Sequence, residues 1–532
     1  MIGFNGRRRK IEAKISASWG RSKEKRRNFD RISRYAAINQ DAFFHRLTDQ
    51  TLSDIDIEEL FACIDRTETG IGQQYLFYKI VHPVNAIEAL KKDRRLAAHF
   101  SSDASLRKRT QYHLYRLEQN GTYFIVDLFD PDRKVEQEHP VYKTLALAAI
   151  TLTVFTFFIP SLFSLLVFLF FVNILLHFIH RNRSQDRIQT VSAAFATIDC
   201  AEKLLDPEMP FENKAAVNAA ISKVKTIRSL YRFLGAPTAS DDFSMILMLL
   251  FELIKGFFLI EPLALNKSYR LAMQNRDAFE VIYKFIGTID TAISCASLIN
   301  DQNYTTCTPE FADHEKQLWF SKAYHPLIEN PIPGSFHTEG SNIFITGSNM
   351  SGKSTFLRTV LINSVLAQTI YICFAERFCT PFFKQYSAIK IADNLFEQES
   401  YFYKEMKVIR EMVEQLGEPS DHLFLIDEIY KGTNTVERMA LALSVLRYLN
   451  GSKNLIMASS HDLELVEYLK GVYKMYHFAE SIQEDKLVFD YRIKEGAVQS
   501  RNAIQLAALE QYPSPVIEQA MVYAKQFASG AH

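Results

Sequence analysis

The chain has 532 residues, with 61 Lys and Arg against 61 Asp and Glu, 48% hydrophobic and 23% charged. With 19 Gly, 16 Pro and 6 Cys, it is neither disordered throughout, nor collagen-like, nor a small disulfide scaffold. At roughly 150 residues per domain the length suggests about three or four structural units, and a zero net charge can hide opposite local excesses. Cys63, Cys200, Cys295, Cys307, Cys373 and Cys379 are scattered without a C-x-x-C pair. That spacing predicts reduced, mostly buried thiols and no zinc site.

The first 34 residues hold twelve basic side chains, from Arg7 to Arg34, against Glu12, Glu24 and Asp30. No apolar run follows, so the segment is not a secretory signal. It suits anionic lipid headgroups, nucleic-acid phosphates or a solvated tail. A helical segment follows at Ala86 to Leu117. From Thr144 to His180 the chain then runs 37 residues without Asp, Glu, Lys or Arg, and eight of the 41 phenylalanines lie there. One membrane span takes about 20 apolar residues, so the run predicts two helices reversing near Pro160 and Ser161. Lys143 stands before it and Arg181 and Arg183 after it, which puts both flanks on the cytoplasmic side by the positive-inside rule. A buried hairpin in a large soluble core, or a single long kinked span, is the competing reading. Phe243 to Ile260, interrupted by Glu252 and Lys255, reads as a core helix.

The segment Ser341 to Val360 contains G-x-x-x-x-G-K-[ST] as Gly347, Gly352, Lys353 and Ser354. Ile343, Phe344 and Ile345 suit a buried strand before it, and Phe356, Leu357, Val360 and Leu361 recur at helical spacing after it. In such a loop backbone N–H groups converge on phosphates, Lys353 meets the β/γ oxygens and Ser354 binds Mg²⁺. A second apolar run, Leu423 to Ile426, ends in Asp427-Glu428. These carboxylates suit metal binding and activation of water, respectively. A third strand, Asn454 to Ala458, leads into Ser459, Ser460 and His461, which predicts a histidine facing the γ-phosphate.

With GSNMSGKST, LIDEIYKGTNT and SSHDLEL in this order, the chain resembles the MutS family, whose ATPase domain is an ABC-class P-loop enzyme. HPLIENPIP (His325 to Pro333) resembles the segment that contacts adenine, which implies Ile332 on the base. DNLFEQESYFYKEM (Asp393 to Met406) resembles the signature region, which implies that Ser400 reaches a γ-phosphate bound by the opposite subunit. Leu47 to Leu76 and Ile286 to Leu298 resemble parts of the family's core domain. Gly496 to Leu509 and Pro513 to Ala520 resemble the terminal segment used in dimer packing. The resemblance implies ATP and Mg²⁺, with Gly347, Ser348, Asn349, Met350, Ser351, Gly352, Lys353, Ser354 and Thr355 around the phosphates. It further implies Ser354 and Asp427 on the metal, Lys353, Glu428 and His461 in catalysis, and a homodimer with composite sites. Ser348 and Ser351 stand where the family usually has Pro and Gly, and Gln398 and Tyr401 replace the signature Gly and Thr. Fewer than about fifty residues precede the core-like segment, which leaves no place for the mismatch-reading and connector domains.

The predicted architecture is multidomain: a basic arm (1–40), core and lever helices (41–141), a transmembrane hairpin (142–181), returning lever helices (182–315) and an α/β P-loop ATPase with its dimerisation segment (316–532). The expected function is a membrane-anchored, MutS-like ATP hydrolase that moves helical levers and contacts DNA without mismatch specificity. Lipid would be met through residues 144–180, with both termini and the ATPase cytoplasmic. The alternative is an ATP-switched scaffold of a membrane complex. A transporter subunit is disfavoured, since one hairpin offers too few spans for a substrate path.

Overall fold

The computed structural model describes residues 2–133, 140–206, 208–225, 242–313, 316–348, 351–391, 401–417, 420–430, 434–450, 453–483, 486–497, 504, 507–508 and 511–528. The chain forms two compact units interleaved in sequence. The first comprises 1–42, 64–79 and 92–301, and the second 43–63, 80–91 and 302–532.

The first unit is helical: α1 (Ile2–Ser18), α2 (Ala104–Glu118), α3 (Pro140–Thr156), α4 (Phe163–Arg183), α5 (Gln185–Leu204), α6 (Lys214–Lys225), α7 (Asp242–Phe257), α8 (Ile260–Gln274) and α9 (Arg276–Ile299). Its core forms on α9, where Phe279, Ile282, Tyr283, Ile286, Ile289 and Ile293 recur at helical spacing and are buried. Asp103 caps α2 by accepting from the Ser105 and Leu106 amides.

The basic segment is not a solvated tail. Lys23 pairs with Glu68 at 2.7 Å, and Lys25 and Arg27 share Asp65 at 3.0 and 3.1 Å. Arg34 meets Asp127 and Asp130 at 3.0 Å each, and the Arg107 guanidinium stacks 3.6 Å from the Trp19 ring centre. Sequence counting missed this because the acidic partners lie tens of residues away. Arg9, Lys10 and Lys14 on α1 remain exposed.

The uncharged run forms two helices, α3 and α4, joined by a turn that includes Pro160–Leu162. Helix α3 buries only Ala146 and Ala149, and α4 inverts the burial of a soluble helix. Phe157 is 85% exposed, and Leu147, Val154, Phe168, Phe171, Leu175 and Phe178 are exposed with it, whereas Asn173, His177 and His180 are buried. The helix Pro160–Arg183 is long and apolar enough to cross a membrane by length and composition. Among the described residues the other helix that passes this test is α9, which is largely buried.

The expectation of a core helix at Phe243 to Ile260 is corrected. Helix α7 turns its charged residues inward and its apolar ones outward: Lys255 is buried and pairs with Glu252 at 2.9 Å, while Met245, Ile246, Leu247, Leu249 and Leu250 are exposed. A core helix would bury the apolar run instead.

The second unit carries the sheets. A four-stranded sheet has the order β1 (Glu310–Phe311), β5 (Arg377–Thr380), β2 (Trp319–Ala323), β3 (Gly334–His337). A six-stranded sheet has the order β10 (Lys486–Glu495), β9 (Lys474–Gln483), β4 (Ile343–Thr346), β8 (Leu455–Ser460), β7 (His422–Asp427), β6 (Lys384–Ala388). From β9 to β6 neighbouring strands are parallel, and β10 is antiparallel to β9. Every residue of β4, β7 and β8 is buried, which is why these strands read as unbroken apolar runs. The longer helices beside these sheets are α10 (Lys353–Thr369), α11 (Tyr401–Glu414), α12 (Thr435–Leu449) and α13 (Ser514–Ala528).

Asp54, at the end of a short helix (Asp49–Asp54), is fully buried and accepts from the Ser387 hydroxyl at 2.7 Å and from the Ile389 and Lys390 amides at 3.0 and 2.7 Å. Asp54→Ala leaves these donors without an acceptor. The expected loss is about 3 kcal/mol, read as a lowered unfolding temperature of the second unit, and an unchanged temperature would show that the three bonds do not hold the end of β6.

Candidate functional site

The order β4-β8-β7 decides where the chemistry gathers. Thr346 lies opposite Ser460, and Asp427 opposite Ser459. The loop after β4, the Asp427-Glu428 pair after β7 and the Ser459 to His461 segment therefore emerge side by side at the carboxyl edge of one sheet, where ligands of open α/β sheets bind.

The loop conformation needs its glycines. Gly347 has φ 145° and Gly352 φ 107°, and a Cβ on Gly347 would meet the Phe478 carbonyl at 2.9 Å. Gly352 is the N-cap of α10 with no side-chain cap, and the first N–H groups of a helix have no intrahelical partner. Lys353, only 2% exposed, donates to the carbonyls of Gly347 and Ser348 at 2.7 and 2.8 Å and lies 3.8 Å from Glu428 Oε1. The Ser351 hydroxyl donates to the Ser348 carbonyl at 2.7 Å, and the Ser348 hydroxyl donates to Glu480 at 2.6 Å. The two serines thus hold the loop through hydrogen bonds that proline and glycine cannot make.

Asp427 accepts hydrogen bonds from the hydroxyls of Ser354 and Ser459, one on each carboxylate oxygen. Glu428 follows in a left-handed conformation, φ 51°, and Tyr430 has φ 62°. Such torsions cost a non-glycine residue of order 1 kcal/mol or more and persist where neighbours impose them. The Glu428 amide donates to the Ser459 carbonyl at 2.9 Å, and the Tyr430 amide donates to the buried Glu405 carboxylate. His461 Nδ1 stands 3.8 Å from Glu428 Oε1, and its pKa is raised by hydrogen bonding to Glu428. Asp462, beside it, is held by Arg438 at 2.8 Å.

The structure therefore brings together Gly347, Ser348, Ser351, Gly352, Lys353, Ser354, Asp427, Glu428 and His461. Thr355 is exposed in the first turn of α10. Ile332 is exposed on the segment between β2 and β3 of the smaller sheet. Asn349, Met350, Gln398 and Ser400 lie outside the described residues. Ser459, Glu480 and Glu405 were missed. Ser459 could have been found from its register beside Asp427, whereas Glu480 and Glu405 gave no sequence signal. The hydroxyl and carboxylate oxygens of Ser354, Asp427 and Glu428 form a hard-oxygen donor set, which fits Mg²⁺. The glycine loop over a helix N-terminus fits phosphate.

A parallel sheet with a glycine loop, a helix N-terminus and acidic strand ends at one edge is the layout of a nucleotide-type α/β domain. Residues 343–528 match the family model of MutS domain V. The DNA mismatch repair protein MutS of Bacillus licheniformis is 31% identical over 260 residues, 47% of this chain and 29% of that protein. The Staphylococcus epidermidis protein of the same name is 31% identical over 256 residues, 46% and 29% respectively. That of Staphylococcus aureus strain Newman is 30% identical over 290 residues, 51% and 33%. Over this region the chain is similar to MutS proteins. It spans about a third of the length of these curated relatives.

His325 opens the segment that resembles the adenine-contacting stretch. Its Nδ1 accepts from the Leu327 amide at 3.3 Å, and burial, with Arg358 adding to it, pushes its pKa down to about 4. A pKa lowered from 6.5 means that the folded form excludes a proton which the unfolded chain accepts. Stability from this group is complete above pH 6.5 and is lost as pH falls toward 4, by about 3 kcal/mol at most. His325→Asn should flatten the fall in unfolding temperature between pH 6.5 and 4. An unchanged slope would show that other groups set the acid sensitivity.

Proposed function

We propose that the chain is a membrane-anchored ATP hydrolase of MutS type. The observation that carries the hydrolase reading is the meeting of Ser354, Asp427, Lys353 and Glu428 at one sheet edge. ATP is the substrate, cradled by the loop amides and Lys353, with Ser354 and Asp427 holding its Mg²⁺; the metal supplies charge neutralisation on the phosphate oxygens. Glu428, held in place by its left-handed backbone, takes a proton from water as the water oxygen bonds to the γ-phosphorus. The bond from that phosphorus to the β,γ-bridging oxygen breaks, and ADP leaves. His461 orients the Glu428 carboxylate. A homodimer with composite sites, in which Ser400 serves the opposite subunit, follows from the family resemblance.

The membrane part of the proposal is supported by the inverted burial of α4 and by the exposed apolar side chains of α3 and of the turn between them. A soluble protein seldom leaves so many contiguous large apolar side chains to water, and in lipid the same arrangement is favourable because polar groups face inward. Helix α4 has 21 residues, about 32 Å at 1.5 Å per residue, close to the roughly 30 Å hydrocarbon core. The basic flanks of the hairpin support both termini and the nucleotide unit lying on the cytoplasmic side of the cytoplasmic membrane. Nucleotide-driven closure of two such units would move the helices that end in the bilayer. The relatives' printed name supports a DNA-linked role, and exposed Arg9, Lys10 and Lys14 on α1 offer phosphate contacts without sequence preference.

Glu428→Gln should lower ATP turnover at least about 100-fold while ATP binding persists, whereas Lys353→Ala should lose binding as well. Full turnover by Glu428→Gln would remove Glu428 as the base. Turnover of the detergent-solubilised chain with and without duplex DNA separates the two family readings: stimulation supports the DNA-linked role, and indifference supports an ATP-switched membrane scaffold.

A further inference from the structure

The cysteines are scattered in the sequence, but the fold sets two of them face to face. Cys307, on the segment between α9 and β1, and Cys373, just beyond α10, form an isolated antiparallel bridge. Each backbone amide donates to the other's carbonyl, Cys307 to Cys373 at 2.9 Å and Cys373 to Cys307 at 3.0 Å. Such a pair holds its Cα atoms about 5.5 Å apart with both side chains on one face, and about 5.5 Å is also the commonest Cα separation across a disulfide. Both residues belong to the second unit, and both are thiols in the structure. Their surroundings fix the register. The Tyr324 hydroxyl accepts from the Thr305 amide at 2.9 Å and donates to the Thr305 carbonyl at 3.0 Å, while the Tyr324 amide donates to the Phe374 carbonyl at 3.1 Å. The Phe374 ring lies 5.4 Å from that of Tyr304 and 5.9 Å from that of Tyr324, and the Phe374 amide donates to the Asn363 side chain of α10 at 2.6 Å.

We propose that Cys307 and Cys373 are a redox-active dithiol, joined reversibly into an intrachain disulfide by a low-molecular-weight disulfide. The two thiols differ in access, which sets the order of events. Cys373 is fully buried and donates to the Asn363 carbonyl at 3.3 Å, and burial, with Cys307 beside it, raises its pKa well above the usual thiol range. Cys307 is only partly buried, so it meets the oxidant first. Its proton passes to water, and its thiolate attacks one sulfur of the small disulfide, whose other sulfur leaves as a thiolate. Cys373 then gives up its proton as its sulfur attacks that of Cys307, and the second small thiolate leaves. The two cysteines lose two electrons and two protons in all, and the small disulfide becomes two thiols. Cys63 and Cys379 have other partners: Cys63 donates to the Tyr304 hydroxyl at 3.3 Å, and Cys379 lies between Glu310 and Trp319 in the smaller sheet. The bond closes a ring of chain from 307 to 373 that contains the phosphate loop and all of α10. In a reducing compartment such a disulfide is transient and follows the oxidant.

The test holds the full-length, detergent-solubilised chain in glutathione buffers of rising oxidised fraction, blocks the remaining thiols with iodoacetamide and maps its proteolytic peptides without reductant. The expected result is a linked pair of peptides carrying Cys307 and Cys373, two hydrogen atoms lighter than the separate thiol peptides. Dithiothreitol should separate the pair, and Cys307→Ser should lack it and leave Cys373 without a glutathione adduct. Oxidation should also raise the unfolding temperature of the second unit by several degrees, because the ring restricts the unfolded chain, and should leave that of Cys307→Ser unchanged. A stable glutathione adduct at Cys307 with no linked pair would overturn the proposal. So would a bond from Cys307 to Cys63 or Cys379, or a linked pair that forms only when denaturant is present, since the native fold would then hold the two sulfurs apart.

Discussion

The Asp427 carboxylate is the fastening point of the second unit's chemistry. One oxygen accepts from Ser354, at the start of the helix after β4, and the other from Ser459, at the end of β8. A single buried side chain thus ties the ends of β7 and β8 to the start of the helix that follows β4. The parallel register makes this possible, because Asp427 and Ser459 are direct neighbours across β7 and β8. Once Asp427 is fixed, the next residue must turn sharply, and Glu428 adopts its left-handed torsion with its amide on the Ser459 carbonyl. That turn puts the Glu428 carboxylate within 3.8 Å of both Lys353 and His461.

The first unit obeys the opposite burial logic over one stretch. In α9 the apolar side chains face inward, and the helix makes a core. In α4 and α7 polar side chains occupy the interior and phenylalanine and leucine the outside. Both α4 and α9 are long and apolar enough to cross a membrane, so length and composition alone do not say which side of a helix is buried. What separates them is the direction of the few polar residues: Asn173, His177 and Lys255 point into the helical bundle.

The strand and loop motifs were legible because each depends on local pattern. Ile343 to Ile345, Leu423 to Ile426 and Leu455 to Ala458 are buried strands, and Gly347 and Gly352 do take positive φ. The double helix of the uncharged run and its turn near Pro160 were legible from length and charge. The rest was hidden by sequence distance. Nothing near Lys25 or Arg27 announces Asp65 as their shared partner, and nothing near Ser348 announces Glu480. The exposure of α7 was not legible because an apolar run interrupted by two charges does not say which of its sides meets protein.

The proposed hydrolytic site lies in one unit and the proposed lipid-facing surface in the other. The most direct measurement is flotation of the reconstituted full-length chain through a density gradient after an alkaline carbonate wash, with Mg·ATP turnover assayed in each fraction. The account predicts that turnover floats with the vesicles and survives the wash. Turnover recovered in the soluble fractions would contradict it.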